Sequence, residues 1–423
     1  MKKTAQRLVR VVQLCLFIGI LFAFAMFQGG FLSWFLFYSF TPILLYMLII
    51  PFYPFKLWDV QRDSSANYVH AGSSVELEIT IKRKTRFPLF YVMVEEFCPE
   101  TLRFKDIGDK KYQYIADQSY YYENRQFRKI LFPYFRKQFT VSFQLDHLPR
   151  GRHEFSTIKI STGDPFGIVS NEYHINTGSQ MVVYPAVREI KWQLRANSLE
   201  EGSNPANMYD DRLTNVVSGV REYIPGDRFS WIDWKTTARK NMVMTKEFEQ
   251  EKDAHLAILL LVNNTKSDLP MSLEAAIELS LSIMSMMRKK GQHLSLHILS
   301  DQEKHFTSQQ IQSQFPNIQN YLAALRPDDQ SHDTMRLQRT VQYLPKGTLV
   351  LTIITNLDQE LVDSLIAKKK LDYQLAVCYI TSEKQMTLEN QRMIQQLRLS
   401  NITVQTMTEK DLVKEKWEVS ATR

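Results

Sequence analysis

Cysteine is scarce in this chain. Three occur in 423 residues: Cys15, Cys98 and Cys378, far apart and with no Cys-x-x-Cys. That spacing supports neither a disulfide framework nor a zinc knuckle, and it fits a reducing compartment. Other signatures are missing too. No G-x-G-x-x-G and no G-x-x-x-x-G-K-[ST] is present, so dinucleotide and P-loop chemistry have no carrier. Hydrolase chemistry has no G-x-S-x-G, H-E-x-x-H or Cys/His signature to rest on. The net charge of +7 and pI of about 9.0 are moderate for the length. Part of that charge sits near the N-terminus, and no basic stripe or nucleic-acid motif accompanies it. A solvated surface plus membrane-flanking basic residues accounts for it, and no nucleic-acid partner is expected.

Two long apolar runs open the chain. Residues 11–27 are apolar except for Gln13, and residues 31–53 form a second run. A bilayer-spanning helix needs about 20 apolar residues, with a lower limit of roughly 17. Only Gln28, Gly29 and Gly30 lie between the runs, which predicts a transmembrane helical hairpin with a tight turn. Pro42 is placed to kink the second helix, and Pro51 and Pro54 to end it. Lys2, Lys3, Arg7 and Arg10 precede the hairpin, and Lys56 and Arg62 follow it. The positive-inside rule therefore puts the N-terminus and the soluble part in the cytoplasm, at a membrane crossed twice.

Residues 60–187 read as one domain, in which the apolar period is two from about Tyr68 to Val187. In residues 73–84, Val75, Leu77, Ile79 and Ile81 alternate with polar residues. Residues 88–97, 136–145 and 153–162 look similar, and a β-sandwich is expected. Residues 117–129 suit an edge or a long loop. Residues 188–218 are polar and Asn-rich and read as a linker or loop. Residues 219–251 read as a segment joining two domains. Over 252–415, apolar strands at 255–262, 293–299, 348–355 and 374–380 alternate with helices. This predicts a Rossmann-type α/β domain whose parallel sheet has helices on both faces. Residues 416–423 are left as a tail.

Ligands in such a fold bind beyond the carboxyl ends of the strands. The first strand is followed by Asn263-x-Thr265-x-Ser267. This spacing resembles the D-x-S-x-S of a von Willebrand factor A-like domain, whose hard oxygen ligands suit Mg²⁺. Asn263 replaces the leading acid, and Asn356 replaces another after the strand at 348–355. With two carboxylates lost, the expectation is a degenerate, metal-free site and no cofactor. Asp358 is the nearest substitute, two positions out of register. His293 and His297, on one strand, would stand about 13 Å apart, too far to share a metal.

The densest motif is EYIPGDRFSWIDWKTTARK, residues 222–240. Ile224-Pro225-Gly226-Asp227 is a type II turn signal. Asp227 is placed to cap a short helix running through Arg239, and residues 242–251 read as a strand. Arg221, Arg228, Lys235 and Arg239 form either a binding surface for an anion or partner, or the charges of a joint that pair internally with nearby acids.

The segment from Arg221 to Glu251 closely resembles the signature of the bacterial "domain of unknown function 58" family. The matching positions are Arg221, Tyr223, Pro225, Gly226, Asp227, Ile232, Asp233, Trp234, Ala238, Arg239, Lys246, Phe248 and Glu249, with Lys235 inside the same run. Arg150-Gly151 and Asp164-Pro165-Phe166-Gly167 form a second, upstream motif similar to that family, as is the two-span hairpin. The resemblance implies a membrane-tethered β-sandwich plus von Willebrand factor A-like protein. It implies an adaptor or assembly factor without catalysis of its own, acting with a MoxR-type AAA+ ATPase and alongside a transglutaminase-like membrane protein. The protein-binding rim would be the ends of the first and fourth core strands. An envelope or cell-wall enzyme using the charged segment, and a purely structural membrane scaffold, are the alternatives.

Overall fold

The computed structural model describes residues 2–66, 68–115, 122–195, 217–224, 232–240, 242–248, 256–262, 270–300, 302–326, 333–345, 348–369 and 374–422. The chain divides into two compact units. One comprises Met1–Ala186 with Gln319–Leu325, the other Val187–Ile318 with Arg326–Arg423.

The first unit begins with helices α1 (Lys2–Gln28) and α2 (Phe31–Ile49). Gly29 turns the chain between them at φ +59°, a conformation that costs glycine nothing. Leu8–Gln28 and Phe31–Phe52 are long and apolar enough to cross a membrane, and only 11% and 22% of these windows are buried. A core helix of a soluble protein would hide most of its apolar surface, so these helices present theirs outward. Phe22 packs edge-on against Trp34 and Phe37 of the facing helix. Lower down, Leu14, Leu44, Met47 and Ile50 form a buried cluster.

Eight strands follow: β1 (Asp59–Ser64), β2 (Tyr68–His70), β3 (Val75–Lys82), β4 (Val92–Glu96), β5 (Phe127–Leu131), β6 (Gln138–Leu145), β7 (Gly151–Gly163) and β8 (Ser170–Tyr184). They form two sheets, ordered β1-β3-β6 and β2-β8-β7-β4-β5. The period-two pattern explains the pairing. Val75, Leu77, Ile79 and Ile81 of β3 all point inward and meet Val94, Phe155, Ile158, Ile160 and Val183 from the other sheet in one core. β5 is an edge strand, at the end of the stretch read as an edge or loop. Ion pairs are buried in this unit, Lys111 with Asp106 at 2.6 Å among them. Arg62 holds Glu96 at 2.8 Å, with side chains 2% and 0% exposed.

The second unit is α/β. It contains β9 (Glu189–Arg195), β10 (Val217–Glu222), α3 (Trp234–Lys240), β11 (Met244–Phe248), β12 (Leu256–Leu261), α4 (Pro270–Lys289), β13 (Leu294–Leu299), β14 (Lys304–Phe306) and α5 (Ser308–Ser313). Next come α6 (Phe315–Ala324), whose last turns cluster with the first unit, and α7 (Asp333–Gln342). Then follow β15 (Leu349–Ile354), α8 (Gln359–Lys369), β16 (Gln374–Ile380), α9 (Leu388–Leu399), β17 (Thr403–Met407), α10 (Glu409–Leu412) and β18 (Lys416–Thr422). The main sheet has the order β14-β13-β12-β15-β16-β17, parallel except for β14. Every residue of β12 and β15 is buried, because helices cover both faces. One face packs on α7, α8 and α9 through Leu337, Val341, Val362, Leu365, Ile394 and Leu397. On the sheet, α4 lies against β12, β13, β15 and β16.

Two expectations are corrected here. The polar linker expected over 188–218 begins with a strand, β9. The tail expected over 416–423 carries its parallel partner, β18, in the register Trp417↔Ile190 and Val419↔Trp192. Trp417 and Val419 are fully buried, so the end of the chain is core. Burial of the alternate residues makes this short parallel pair worth forming.

Candidate functional site

The signature segment is built on a two-stranded antiparallel ribbon. β10 pairs with β11 in the register Arg221↔Thr245 and Glu222↔Met244. The ribbon continues through Tyr223, whose N–H donates to the Val243 carbonyl at 2.9 Å. Pro225, Gly226, Asp227, Arg228 and Trp231 lie outside the described residues, as does Glu249. The chain returns at Ile232, which bridges to Thr245. Ile232, Met244 and Thr245 are buried and anchor the segment.

The described helix starts later than expected, at Trp234, and its cap is Asp233 rather than Asp227. The Asp233 carboxylate accepts the Thr236 N–H at 3.1 Å, and its carbonyl accepts the Thr237 N–H at 2.9 Å. Asp233 also ties the helix to the ribbon, donating its own N–H to the Met244 carbonyl at 2.8 Å. Met244 N–H in turn donates to Thr237 Oγ1 at 3.0 Å. The Thr236 N–H bond, more than any neighbouring charge, lowers the Asp233 pKa.

No residue of α3 is buried. Trp234 is 68% exposed. Lys235, Ala238 and Arg239 are exposed beside it on one helical face. Ile224, Met242 and Val243 add exposed apolar surface from the ribbon. Among the described residues, Lys235 and Arg239 enter no ion pair. Arg221 Nη1 donates to the Glu222 carbonyl at 3.0 Å.

The second motif is split by the fold. Arg150-Gly151 starts β7 and Asp164-Pro165-Phe166-Gly167 follows its end, so a 13-residue strand separates them. Arg150 Nη1 donates to the carbonyls of Leu322, Ala323 and Leu325, and so caps the end of α6. The Asp164 carboxylate is buried in the β7–β8 turn, where it accepts the N–H groups of Phe166 and Val169. Gly167 takes φ +73°, and Phe166 is exposed. Both halves of this motif therefore shape backbone.

The α/β sheet changes direction between β12 and β15, where a doubly wound fold opens a crevice. The two strands are parallel neighbours, with Leu260 beside Ile353. Asn356, half-buried, lies just past β15. Asp358, the possible substitute ligand, accepts the Leu361 N–H at 2.8 Å and serves as the cap of α8. Asn263, Thr265 and Ser267 lie outside the described residues. Among the described residues no cluster of three or more His, Cys, Asp or Glu side chains could hold a metal ion. His293 is bonded to Ser308. His297 stacks on His305 with ring centroids 6.1 Å apart. Burial first, and His305 second, pull the His297 pKa down to about 4.

Sequence reasoning missed one prominent group. Arg188 and Glu278 form a buried ion pair, with Arg188 stacked 4.6 Å above the Trp417 ring. They lie 90 positions apart, and no local pattern links them.

The DUF58 family, described as proteins of unknown function, matches residues 219–411. The chain is 30% identical over 319 residues to the uncharacterized protein YeaD of Bacillus subtilis (strain 168), covering 75% of each chain. Solved structures resemble it only distantly. The CARDB domain of PF1109 from Pyrococcus furiosus matches with a TM-score of 0.16 at 10% identity, over 29% of this chain and 90% of that one. Cwp6 from Clostridium difficile matches with a TM-score of 0.18 at 12% identity, over 86% and 53%. By the match over its signature segment and α/β region, and by its kinship to YeaD, this chain belongs to the DUF58 family.

Proposed function

We propose that this protein is a membrane-anchored adaptor or assembly factor, without catalysis of its own, that works with a MoxR-type AAA+ ATPase. The observation that carries the reading is the outward face of α3. An unburied Trp234 flanked by Lys235 and Arg239 has the composition of an interface anchor, since aromatic residues and arginine dominate binding hot spots. The signature residues nearest this face are spent on holding it: Asp233 caps the helix, and Ile232 and Met244 fix it to the ribbon.

The α/β region is read as von Willebrand factor A-like. In chain order its strands run 3-2-1-4-5-6 across the sheet with the third antiparallel, which supports that reading. Loss of acids at Asn263 and Asn356 favours a metal-free surface there, with no Mg²⁺ bound. Two helices long and apolar enough to cross a membrane support an anchor for the soluble part, and the basic residues flanking them favour the cytoplasmic side. A transglutaminase-like membrane protein is the second partner this role would suit.

The test is binding of the full chain, in nanodiscs, to a MoxR-type ATPase from the same genome. Trp234→Ala with Arg239→Glu should weaken binding at least tenfold, that is by about 1.4 kcal/mol, with the fold intact. Unchanged affinity in that double variant would overturn the proposal.

A further inference from the structure

The first unit carries a second surface that neither the family signature nor the adaptor reading uses. Three loops of the sandwich share one end. Residues 83–91 join β3 to β4, residues 132–137 join β5 to β6, and residues 164–169 join β7 to β8. The registers Lys82↔Gln138, Val92↔Leu131, Met93↔Ser161 and Gly163↔Ser170 bring all three together. The chain enters β1 from the helical hairpin at that same end, with Asp59 opposite Lys82.

These loops do not stop where the hairpin ends. Phe90 donates its N–H to Tyr46 Oη at 3.1 Å, and Phe87 stacks on the Tyr46 ring. Tyr46 lies roughly 9 Å inward of Phe52 at the rise of a helix. Val169 is buried among Leu14, Leu44, Met47 and Ile50. The loops therefore run alongside the last turns of α2 and the N-terminal half of α1.

Their outward side chains are apolar where a watery setting would favour polar ones. Phe166 is 66% exposed and Phe135 is 63% exposed, with Phe132, Tyr134 and Ile168 exposed nearby. Lys84, Arg86, Arg136 and Lys137 are exposed in the same loops, and Lys56 in the connection to β1. The one acid in these loops, Asp164, is buried and bonded to backbone N–H groups. The platform is held in place. Arg83, itself buried, donates to the carbonyls of Arg136 at 2.6 Å and Phe87 at 2.7 Å, and to that of Tyr134.

We propose that this end of the sandwich is seated in the interfacial layer of the membrane, with Phe135, Phe166 and Ile168 immersed among the acyl-chain ends and the basic side chains on anionic headgroups. Aromatic side chains at the interface with basic residues just above them are the arrangement that layer favours. Continuity with the hairpin selects lipid as the occupant. This inference rests on the hairpin spanning the bilayer.

The test is spin-label accessibility on the full chain in vesicles of phosphatidylcholine and phosphatidylglycerol. Single cysteines replace Phe166, Phe135, Leu36 in the second turn of α2 and Tyr114 at the far end of the sandwich, in a background with Cys15, Cys98 and Cys378 changed to alanine. Labels at 166 and 135 should be broadened by oxygen and shielded from an aqueous nickel chelate, as at 36, while the label at 114 shows the reverse. If 166 and 135 behave like 114 while 36 reports lipid, the seating is overturned and the anchor stands. If 36 itself reports water, the anchor fails and the seating with it.

Discussion

Arg188 and Glu278 are ion-paired at 3.1 Å with side chains 5% and 1% exposed. The Arg188 N–H donates to Ser282 Oγ at 2.9 Å, and the guanidinium lies over the Trp417 ring. One side chain thus ties the entry to β9, helix α4 and strand β18. Removing either partner strands the other charge away from water. Arg188→Met or Glu278→Leu alone should cost about 3–5 kcal/mol, and the double variant markedly less than the sum. Denaturant midpoints of the full chain in detergent check this.

Trp417 makes the end of the chain structural. It is fully buried and donates Nε1–H to the Leu412 carbonyl at 3.0 Å. Trp417→Ala should destabilise by about 3–5 kcal/mol, since a large buried ring leaves a cavity and loses its transfer free energy. Thermal unfolding followed by circular dichroism measures it. Trp417→Phe should retain much of the stability.

His153 should make stability depend on pH. It is fully buried, with its ring nitrogens bonded to Thr101 Oγ1 and the Pro149 carbonyl. Burial chiefly lowers its pKa from 6.5 to about 4. The folded state therefore binds fewer protons than the unfolded state between those values. Its contribution is fully present above pH 6.5 and is lost as pH falls through 6.5 towards 4. A shift of this size corresponds to about 3 kcal/mol. His297, lowered for the same main reason, acts in the same window. Unfolding free energies from pH 7 to pH 4 for the parent and His153→Gln should differ in slope, the variant being flatter.

Asp233→Ala should fray α3, and Asp233→Asn should preserve it, because the cap needs an acceptor rather than a charge. Hydrogen exchange at the Thr236 and Thr237 amides reads this directly. Faster exchange in the alanine variant alone is the expected outcome.

Much of the fold was legible because its signals are local. The apolar runs at 11–27 and 31–53 became α1 and α2. The alternation at Val75, Leu77, Ile79 and Ile81 became a sandwich strand. Continuous apolar runs became β12, β15 and β16, which helices cover on both faces. β9 was hidden although Ile190, Trp192 and Leu194 alternate, because the Asn-rich stretch after it dominated the window. β18 was overlooked for want of a partner, which lies more than 200 positions away. β14 has three residues, two of them exposed, too few for any period to show. In the signature segment, the Pro-Gly turn signal points to Asp227 as the cap, whereas nothing local marks Asp233, which caps the described helix. Exposure of Trp234 could not be read at all, since a tryptophan in a short amphipathic pattern looks like core until its surroundings are known.

The proposed adaptor role would set the outward face of α3 against a partner ATPase. Site-specific photocrosslinking tests it most directly. A benzoylphenylalanine placed at Trp234 of the full chain should crosslink to a MoxR-type AAA+ ATPase in the native membrane, and one placed at the equally exposed Leu388 on α9 should not. Crosslinking from 388 with none from 234 would contradict the account.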